Sequence, residues 1–545
     1  MKKWFFCNFL LIIFLTAFAQ PKPVKNVIVL IPDGTSTSLL SVCRWYKTYQ
    51  DPAQNYLYID PFIKGLVGTS SSDAPIGDSA PTTSCYMTGQ MSQTGFVSTY
   101  PVKTDHDILP VDATRAYQPL ATLLEASKQI HHKSTGLVFT CEFPHATPAD
   151  CSAHTYNRGS YKTIAPQMVH NLVDVVIGGG TSYLLPEYQD FLKSHGYQVF
   201  LDDKNGMENC HKAPFWALYH ESSLPYELER NPATTPSLAE MTQKAIEALS
   251  QNPEGFFLMV EGSKVDWAAH ENDGKCAVLE FIEFDKACQV ALDFAQKEGQ
   301  TLVVIVPDHG TGAVTIGNAK SNHGYDKMSL QQLMSPIDDY KLSTWTMSEK
   351  MKAVETSEWP QLFEKYFNIQ ITGSDIEYLQ TARDYQKSTL SKEERKGNLS
   401  LSRMLGQFLY GRTYFGFTTY GHTIENVFYA MYHPQNDVMT GYITNLQLHD
   451  YLCRQLNLTD SLPKLTSEIY ADHHKVFEGF TTRIDSLAPN QYKLVVKNKK
   501  NTLEADSYTN WIVVNKKVME IPSVIVYMDK NQTFYLPANL REYLQ

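Results

Sequence analysis

The sequence predicts an α/β fold, a three-layer sandwich around a largely parallel central sheet, with a helical cap insertion and a small β appendage at the C-terminal end. Three features predict it. Continuous apolar, β-branched runs recur along the first part of the chain, amphipathic stretches separate them, and a different, alternating grammar takes over near the end. A run that is apolar at every position reads as a strand buried on both faces, which is the condition of strands in a parallel sheet. Intervening helices supply the two covering layers. With 545 residues, 43% hydrophobic and 12% aromatic, the chain is long enough for one large domain and an accessory one.

Met1 to Ala19 carries Lys2 and Lys3, an apolar run from Trp4 to Leu15, and Ala17-Phe18-Ala19 before Gln20. That is the pattern of a cleaved secretory signal, so an exported, periplasmic or secreted protein is expected, with no membrane span. Residues 20–465 are then expected to form the main body and 466–545 a small β-rich module. The net charge of −11 argues against a nucleic-acid or anionic-membrane binder. Any anionic substrate must be attracted locally, as bound cations would do. Eight cysteines follow the signal, none in a CxxC pair, and export permits one or two disulfides at most.

The first strand is Val27–Ile31, which runs into Pro32, Asp33 and Gly34. Gly77 to Gly89, GDSAPTTSCYMTG, follows, with Pro81 placed where a helix can start and Thr82 to Met87 continuing it. Ser79 then sits at a helix N-terminus, where free N–H groups and the helix dipole stabilise an anion. Taken alone, the motif is weak, and an ordinary helix N-cap is the plainer reading of Ser79. Further strands are Thr135–Thr140, Val173–Ile177, Phe256–Val260 before Glu261, and Leu302–Val306 before Asp308 and His309; helices are expected over Leu120–Gln129, Ser237–Ser250 and Cys276–Lys297. Three of these strands end in acids, and function in such sheets sits at the carboxyl ends of the strands. Asp266 and His270, spaced i, i+4, share one helix face and form a partial zinc-type donor set.

His422 lies beyond a polar insertion, roughly residues 318–412, with helical patterns over Met347–Tyr366, Gly373–Leu390 and Leu399–Tyr410. It has no ligand cluster of its own and reads as a cap over one rim of the site. Near the C-terminus, short alternating runs over Tyr492–Lys497, Trp511–Asn515, Val524–Tyr527 and Thr533–Leu536 read as strands.

IPDG at Asp33, DSA at Ser79, HATPAD through Arg158, VEGSKVDWAAH, PDHG and GHT resemble, in order and spacing, the successive motifs of the alkaline phosphatases, across roughly Val24 to Ala430. The resemblance implies hydrolysis of small-molecule phosphate monoesters through a phosphoserine on Ser79, with two Zn²⁺ and one Mg²⁺. Asp266, His270 and His422 would hold one zinc; Asp33, Asp308 and His309 the other, joined by the Ser79 alkoxide. Asp33, Thr147 and Glu261 would hold the magnesium. Arg158 would clamp two phosphate oxygens, held in place by Asp78, and a homodimer is usual in the family. His145 and Trp267 stand where some bacterial members carry Asp and Lys, which leaves magnesium at the third place less secure than the two zincs. A phosphodiesterase of the same superfamily and a non-catalytic exported binding protein on the same scaffold are the competing readings. Against the latter, every presumed ligand position keeps a side chain able to coordinate.

Overall fold

The computed structural model describes residues 23–386 and 399–544. The signal sequence expected over residues 1–19 lies outside the described residues, as does the end of the helix expected to reach Leu390. The centre of the molecule is a ten-stranded sheet. Its strands include β1 (Asn26–Ile31), β2 (Ile63–Gly68), β3 (Ser134–Glu142), β4 (Val175–Gly179), β5 (Gln198–Leu201), β6 (Phe215–Leu218), β7 (Phe256–Glu261) and β8 (Thr301–Ile305). With the later strands Val427–Tyr432 and Gly441–Thr444, the spatial order is Gly441–Thr444, β2, Val427–Tyr432, β8, β1, β7, β3, β4, β6, β5. All pairings are parallel except the two made by Val427–Tyr432, which runs antiparallel to both β2 and β8.

The continuous apolar runs are explained by burial from both sides. All six residues of β1 are buried. Ile28 and Leu30 join one hydrophobic core, together with helix α1 (Thr37–Gln50), Leu238–Leu249 and Gly274–Glu298. Val27, Val29 and Ile31 join the other, with helices α2 (Ser79–Thr88) and α3 (Leu123–His131), Tyr161–His170 and Asn445–Gln455. The alternation is the two-residue period of a strand whose faces each carry a helical layer. Burying one such side chain contributes roughly 1.5–3 kcal/mol relative to leaving it exposed. Sequence therefore dictates layering, and layering places β8, β1, β7 and β3 side by side with their carboxyl ends at one edge.

α2 is buried at all ten positions, although five of its residues carry hydroxyls besides that of Tyr86. Thr82 Oγ1 donates to Asp78 O (2.7 Å), Thr88 Oγ1 to Ser84 O (2.7 Å), and Ser84 Oγ to Asp150 Oδ1 (2.7 Å). These bonds satisfy hydroxyls that would otherwise cost free energy when desolvated. The helix stops at Gly89, which adopts the left-handed φ of 69°.

In the insertion, the helix expected over Met347–Tyr366 is two helices, Thr344–Lys352 and Trp359–Phe367. Pro360 at the start of the second cannot sit inside a continuous helix. Near the C-terminus, Thr481–Ala488, Gln491–Lys497, Thr502–Asp506, Trp511–Val514 and Lys517–Glu520 form an antiparallel meander in chain order, beside a three-stranded sheet that includes Thr533–Leu536. The disulfides that export permits do not form: the eight described cysteines are free and buried. A core of this size needs no covalent staples.

Gly34 turns the chain off the end of β1 with φ +62°, and a Cβ there would lie 2.3 Å from Asp266 Oδ1. Gly34→Ala is therefore expected to destabilise the fold by about 1–3 kcal/mol, from the strained φ and the displaced carboxylate. Urea unfolding measures this, and an unchanged midpoint would contradict the crowding.

Candidate active site

The site lies where β8, β1, β7 and β3 end. β1 leads to Asp33, β7 ends on Glu261, β8 leads to Asp308 and His309, and β3 leads to His145 and the short helix Ala146–Ala149 that carries Thr147. Helix Lys264–His270 follows β7 and presents Asp266 and His270 together. His422 arrives from far along the chain. The two-residue strand His422–Thr423 pairs antiparallel with Gly310–Thr311, with His422 opposite Thr311, so the chain beyond the insertion is sewn onto the segment just after His309.

Three groups of side chains converge. In the first, His270 Nε2 lies 3.1 Å from His422 Nε2 and 3.4 Å from Asp266 Oδ2. His270 Nδ1 faces Tyr420 O at 2.5 Å and His422 Nδ1 faces Gly77 O at 2.8 Å. A carbonyl only accepts, so both Nδ1 atoms carry the hydrogen and the Nε2 atoms are the ones free to ligate. Burial, then the nearby His309, holds the His422 pKa down at about 4, so its Nε2 presents a lone pair. Two imidazole nitrogens and a carboxylate at these separations match a zinc-type donor set. Asp266 is buried, yet the imidazoles of His270, His309 and His422 outweigh that and hold it ionised well below the usual carboxylate range. Thr311 Oγ1 donates to Asp266 Oδ1 at 2.6 Å and fixes its rotation.

The second group is Asp33, Asp308 and His309. His309 Nε2 is 3.5 Å from both carboxylates and 3.3 Å from Ser79 Oγ, which is in turn 3.5 Å from Asp33 Oδ1. Asp308 Oδ1 accepts from Gly34 N (3.0 Å) and His309 N (2.9 Å). The outer oxygens, Asp33 Oδ2 and Asp308 Oδ2, are buried without a hydrogen-bond partner among the described residues, the latter being the oxygen that faces His309 Nε2. Asp33 is pushed far above the ordinary carboxylate pKa by burial, then by Asp308, Asp266 and Glu261. The third group gathers Cys141, His145 and Glu261. Thr147 Oγ1 and Glu261 Oε1 are buried and unpartnered there, and Glu261 is likewise pushed upward, chiefly by burial. Orphaned carboxylate oxygens packed this densely fit cations, because unpaired buried acceptors are costly and bound cations would satisfy them.

Ser79 is the first residue of α2, not its cap, and Asp78 holds the cap position. Asp78 accepts a hydrogen bond from the Arg158 guanidinium, and Arg158 Nη2 lies 3.4 Å from His145 Nε2. Burial opposes the charge of Arg158, but Asp78 outweighs it and raises the arginine pKa further. Trp267 stacks edge-on against His145 with ring centroids 5.6 Å apart. Beside His270, a cavity of about 500 Å³ is lined by Tyr226, Lys264, Trp267 and, from the insertion, Trp345 and Arg403. Sequence reasoning missed Thr311, the carbonyls of Gly77 and Tyr420, and Cys141. Only Cys141, next to a strand end, carried any signal.

The sequence profile of the alkaline phosphatase family, described as alkaline phosphatase, matches residues 24–458. The chain belongs to the alkaline phosphatase family. Alkaline phosphatase 3 of Bacillus subtilis is 32% identical over 451 residues, which cover 78% of this chain and 87% of the relative. The repressible alkaline phosphatase of Saccharomyces cerevisiae is 26% identical over 479 residues, 78% of each chain. Among solved structures, the cold-active alkaline phosphatase from a psychrophilic Shewanella is 25% identical with a TM-score of 0.66, covering 80% of this chain and 100% of that one. The Thermus thermophilus enzyme, at 22% identity and TM-score 0.68 over 80% and 92% of the two chains, shares the fold.

The raised carboxylates set a pH dependence. A carboxyl whose pKa is higher in the fold contributes stability that is present below about pH 4 and lost as pH rises through its raised value. A cation that displaces those protons reverses the loss. The gain in melting temperature from Zn²⁺ over chelated protein is therefore expected to be larger at about pH 8 than at about pH 5. Scanning fluorimetry at both pH values tests this, and an equal or smaller gain at the higher pH would contradict the role given to Asp33 and Glu261.

Proposed function

We propose that this chain hydrolyses phosphate monoesters to an alcohol and phosphate, with Ser79 as nucleophile. Asp266, His270 and His422 hold one zinc, Asp33, Asp308 and His309 the second, and Asp33, Thr147 and Glu261 a third cation, for which the family resemblance implies magnesium. The observation that carries this reading is the meeting of His270 Nε2 and His422 Nε2 at 3.1 Å with Asp266 beside them, within one site that also holds the Ser79 hydroxyl. When bound, the cations lower the pKa of the serine hydroxyl and neutralise charge on the attacking and leaving oxygens.

The protein's own groups do the positioning. Ser79 Oγ attacks phosphorus in line, its bond to phosphorus forming as the bond to the leaving oxygen breaks, and water later takes the phosphoryl group from the serine. The N–H groups of Ser79 and Ala80, in the first turn of α2, have no partner in the helix ladder and face the developing anion. Pro81 lacks an N–H and costs no donor that the helix would use. Arg158 spans two nonbridging oxygens with its planar fork, and Asp78 keeps the fork from turning away. The cavity beside His270, bounded by Trp267 and Trp345, leaves room for the alcohol portion. The reading includes export, supported by the pattern of Met1 to Ala19. Among the described residues, no helix is long and apolar enough to cross a membrane.

The test is hydrolysis of p-nitrophenyl phosphate near pH 9. Activity is expected to vanish on chelation and return with Zn²⁺, and Ser79→Ala is expected to lower kcat by at least about three orders of magnitude. A Ser79→Ala variant with wild-type kcat would overturn the nucleophile assignment. Arg158→Ala is expected to cost about 10²–10³-fold in kcat/KM for the monoester and much less for bis-p-nitrophenyl phosphate, which has one nonbridging oxygen esterified. Equal losses on both substrates would remove the clamp from the mechanism.

A further inference from the structure

One group in the third corner of the site has no part in the mechanism above. Cys141 is fully buried near the end of β3, and its Sγ lies 3.3 Å from Glu261 Oε2. Its Sγ, a ring nitrogen of His145 and an oxygen of Glu261 all lie within 4.8 Å of one another. A buried cysteine that only fills space faces methyl groups and rings. This one faces a carboxylate, and the polar atoms around it are short of partners. Glu261 Oε1, Thr147 Oγ1 and His145 Nδ1 are buried without a hydrogen-bond partner among the described residues, and Glu261 and Thr147 are 0% exposed. The Ser263 and Thr147 hydroxyls and the Cys141 S–H can each donate toward Glu261, but none of them draws the carboxylate, hydroxyl, imidazole and sulfur lone pairs together. A cation can.

We propose that Cys141 is a ligand of the third cation, bound as thiolate beside Glu261, and that this corner consequently prefers a borderline cation such as Zn²⁺ or Co²⁺ to Mg²⁺. The inference rests on the metal-dependent reading above and departs from what the family resemblance implies for that cation. Mg²⁺ takes oxygen ligands in near-octahedral geometry and keeps much of its water, whereas thiolate and imidazole suit zinc and cobalt. No electron changes hands in the step. The S–H bond breaks, the proton leaves to solvent, and the sulfur lone pair forms the bond to the cation.

The experiment is stepwise reloading of the chelated full-length protein with Co²⁺, followed by near-ultraviolet and visible absorption, in wild type and Cys141→Ser. A thiolate-to-cobalt charge-transfer band is expected in wild type as the last site fills, and none in Cys141→Ser at the same cobalt content. In mixed Zn²⁺ and Mg²⁺, metal analysis is expected to find zinc at the third place of wild type and magnesium in Cys141→Ser, with zinc affinity there lower by about 10–100-fold. X-ray absorption at the cobalt edge of wild type needs no variant and is expected to contain a sulfur shell at about 2.3 Å. Cobalt bound at all sites with only nitrogen and oxygen neighbours would overturn the proposal and leave the metal-dependent reading intact. Failure to bind cobalt at all would overturn both.

Discussion

Four carboxylates, Asp33, Glu261, Asp266 and Asp308, are buried at the carboxyl ends of neighbouring strands, and the molecule is arranged around that concentration of negative charge. Burial pushes Asp33 and Glu261 above the ordinary carboxylate range, and at Asp33 the three other acids around it add to the shift. Asp266 escapes because three imidazoles face it. This geometry favours cations, since each buried lone pair without a hydrogen-bond partner is an unmet demand. Catalysis of phosphate ester cleavage needs that concentration of positive charge, and the fold creates the need for it before any substrate arrives.

The scaffold keeps the charges from moving apart. Strands buried on both faces cannot shift without opening one of two hydrophobic cores, so their ends are fixed to one another. Several side chains of the site are then aimed by specific neighbours. Thr311 orients Asp266, Gly77 and Tyr420 set which imidazole nitrogen is free, and Gly34 clears the space that the Asp266 carboxylate occupies. Around this rigid floor, the insertion adds Trp345 and Arg403 to the wall of the cavity beside His270. Trp345 stands on helix Thr344–Lys352 and Arg403 on helix Leu401–Tyr410, so this wall is built by elements outside the central sheet.

The parallel strands were legible because complete burial leaves an unmistakable pattern. Val27–Ile31, Phe256–Val260 and Leu302–Val306 each fall within or one residue beyond the strand seen. Short or exposed strands gave no such pattern. β2, IKGLVG, has only Val67 fully buried, and Thr481–Ala488 has no buried residue at all. The antiparallel strand Val427–Tyr432 is held by pairing with β2 and β8, partners far away in sequence. The break between Thr344–Lys352 and Trp359–Phe367 was present as Pro360, but the surrounding helical period concealed it.

The sequence by itself determined the chemistry on offer: which carboxylates, imidazoles and hydroxyl follow which strands, and that Asp266 and His270 share a helix face. Those are local facts, settled by spacing along one element. Tertiary structure decided which of these atoms meet. His422 reaches His270 only because a two-residue strand pairs with Gly310–Thr311, and the Cys141 thiol turns toward Glu261 only because β3 and β7 are neighbours in register. Contacts of that kind join residues a hundred or more positions apart. Long-range register, not local periodicity, sets them, and the register becomes fixed only when both faces of the sheet are covered.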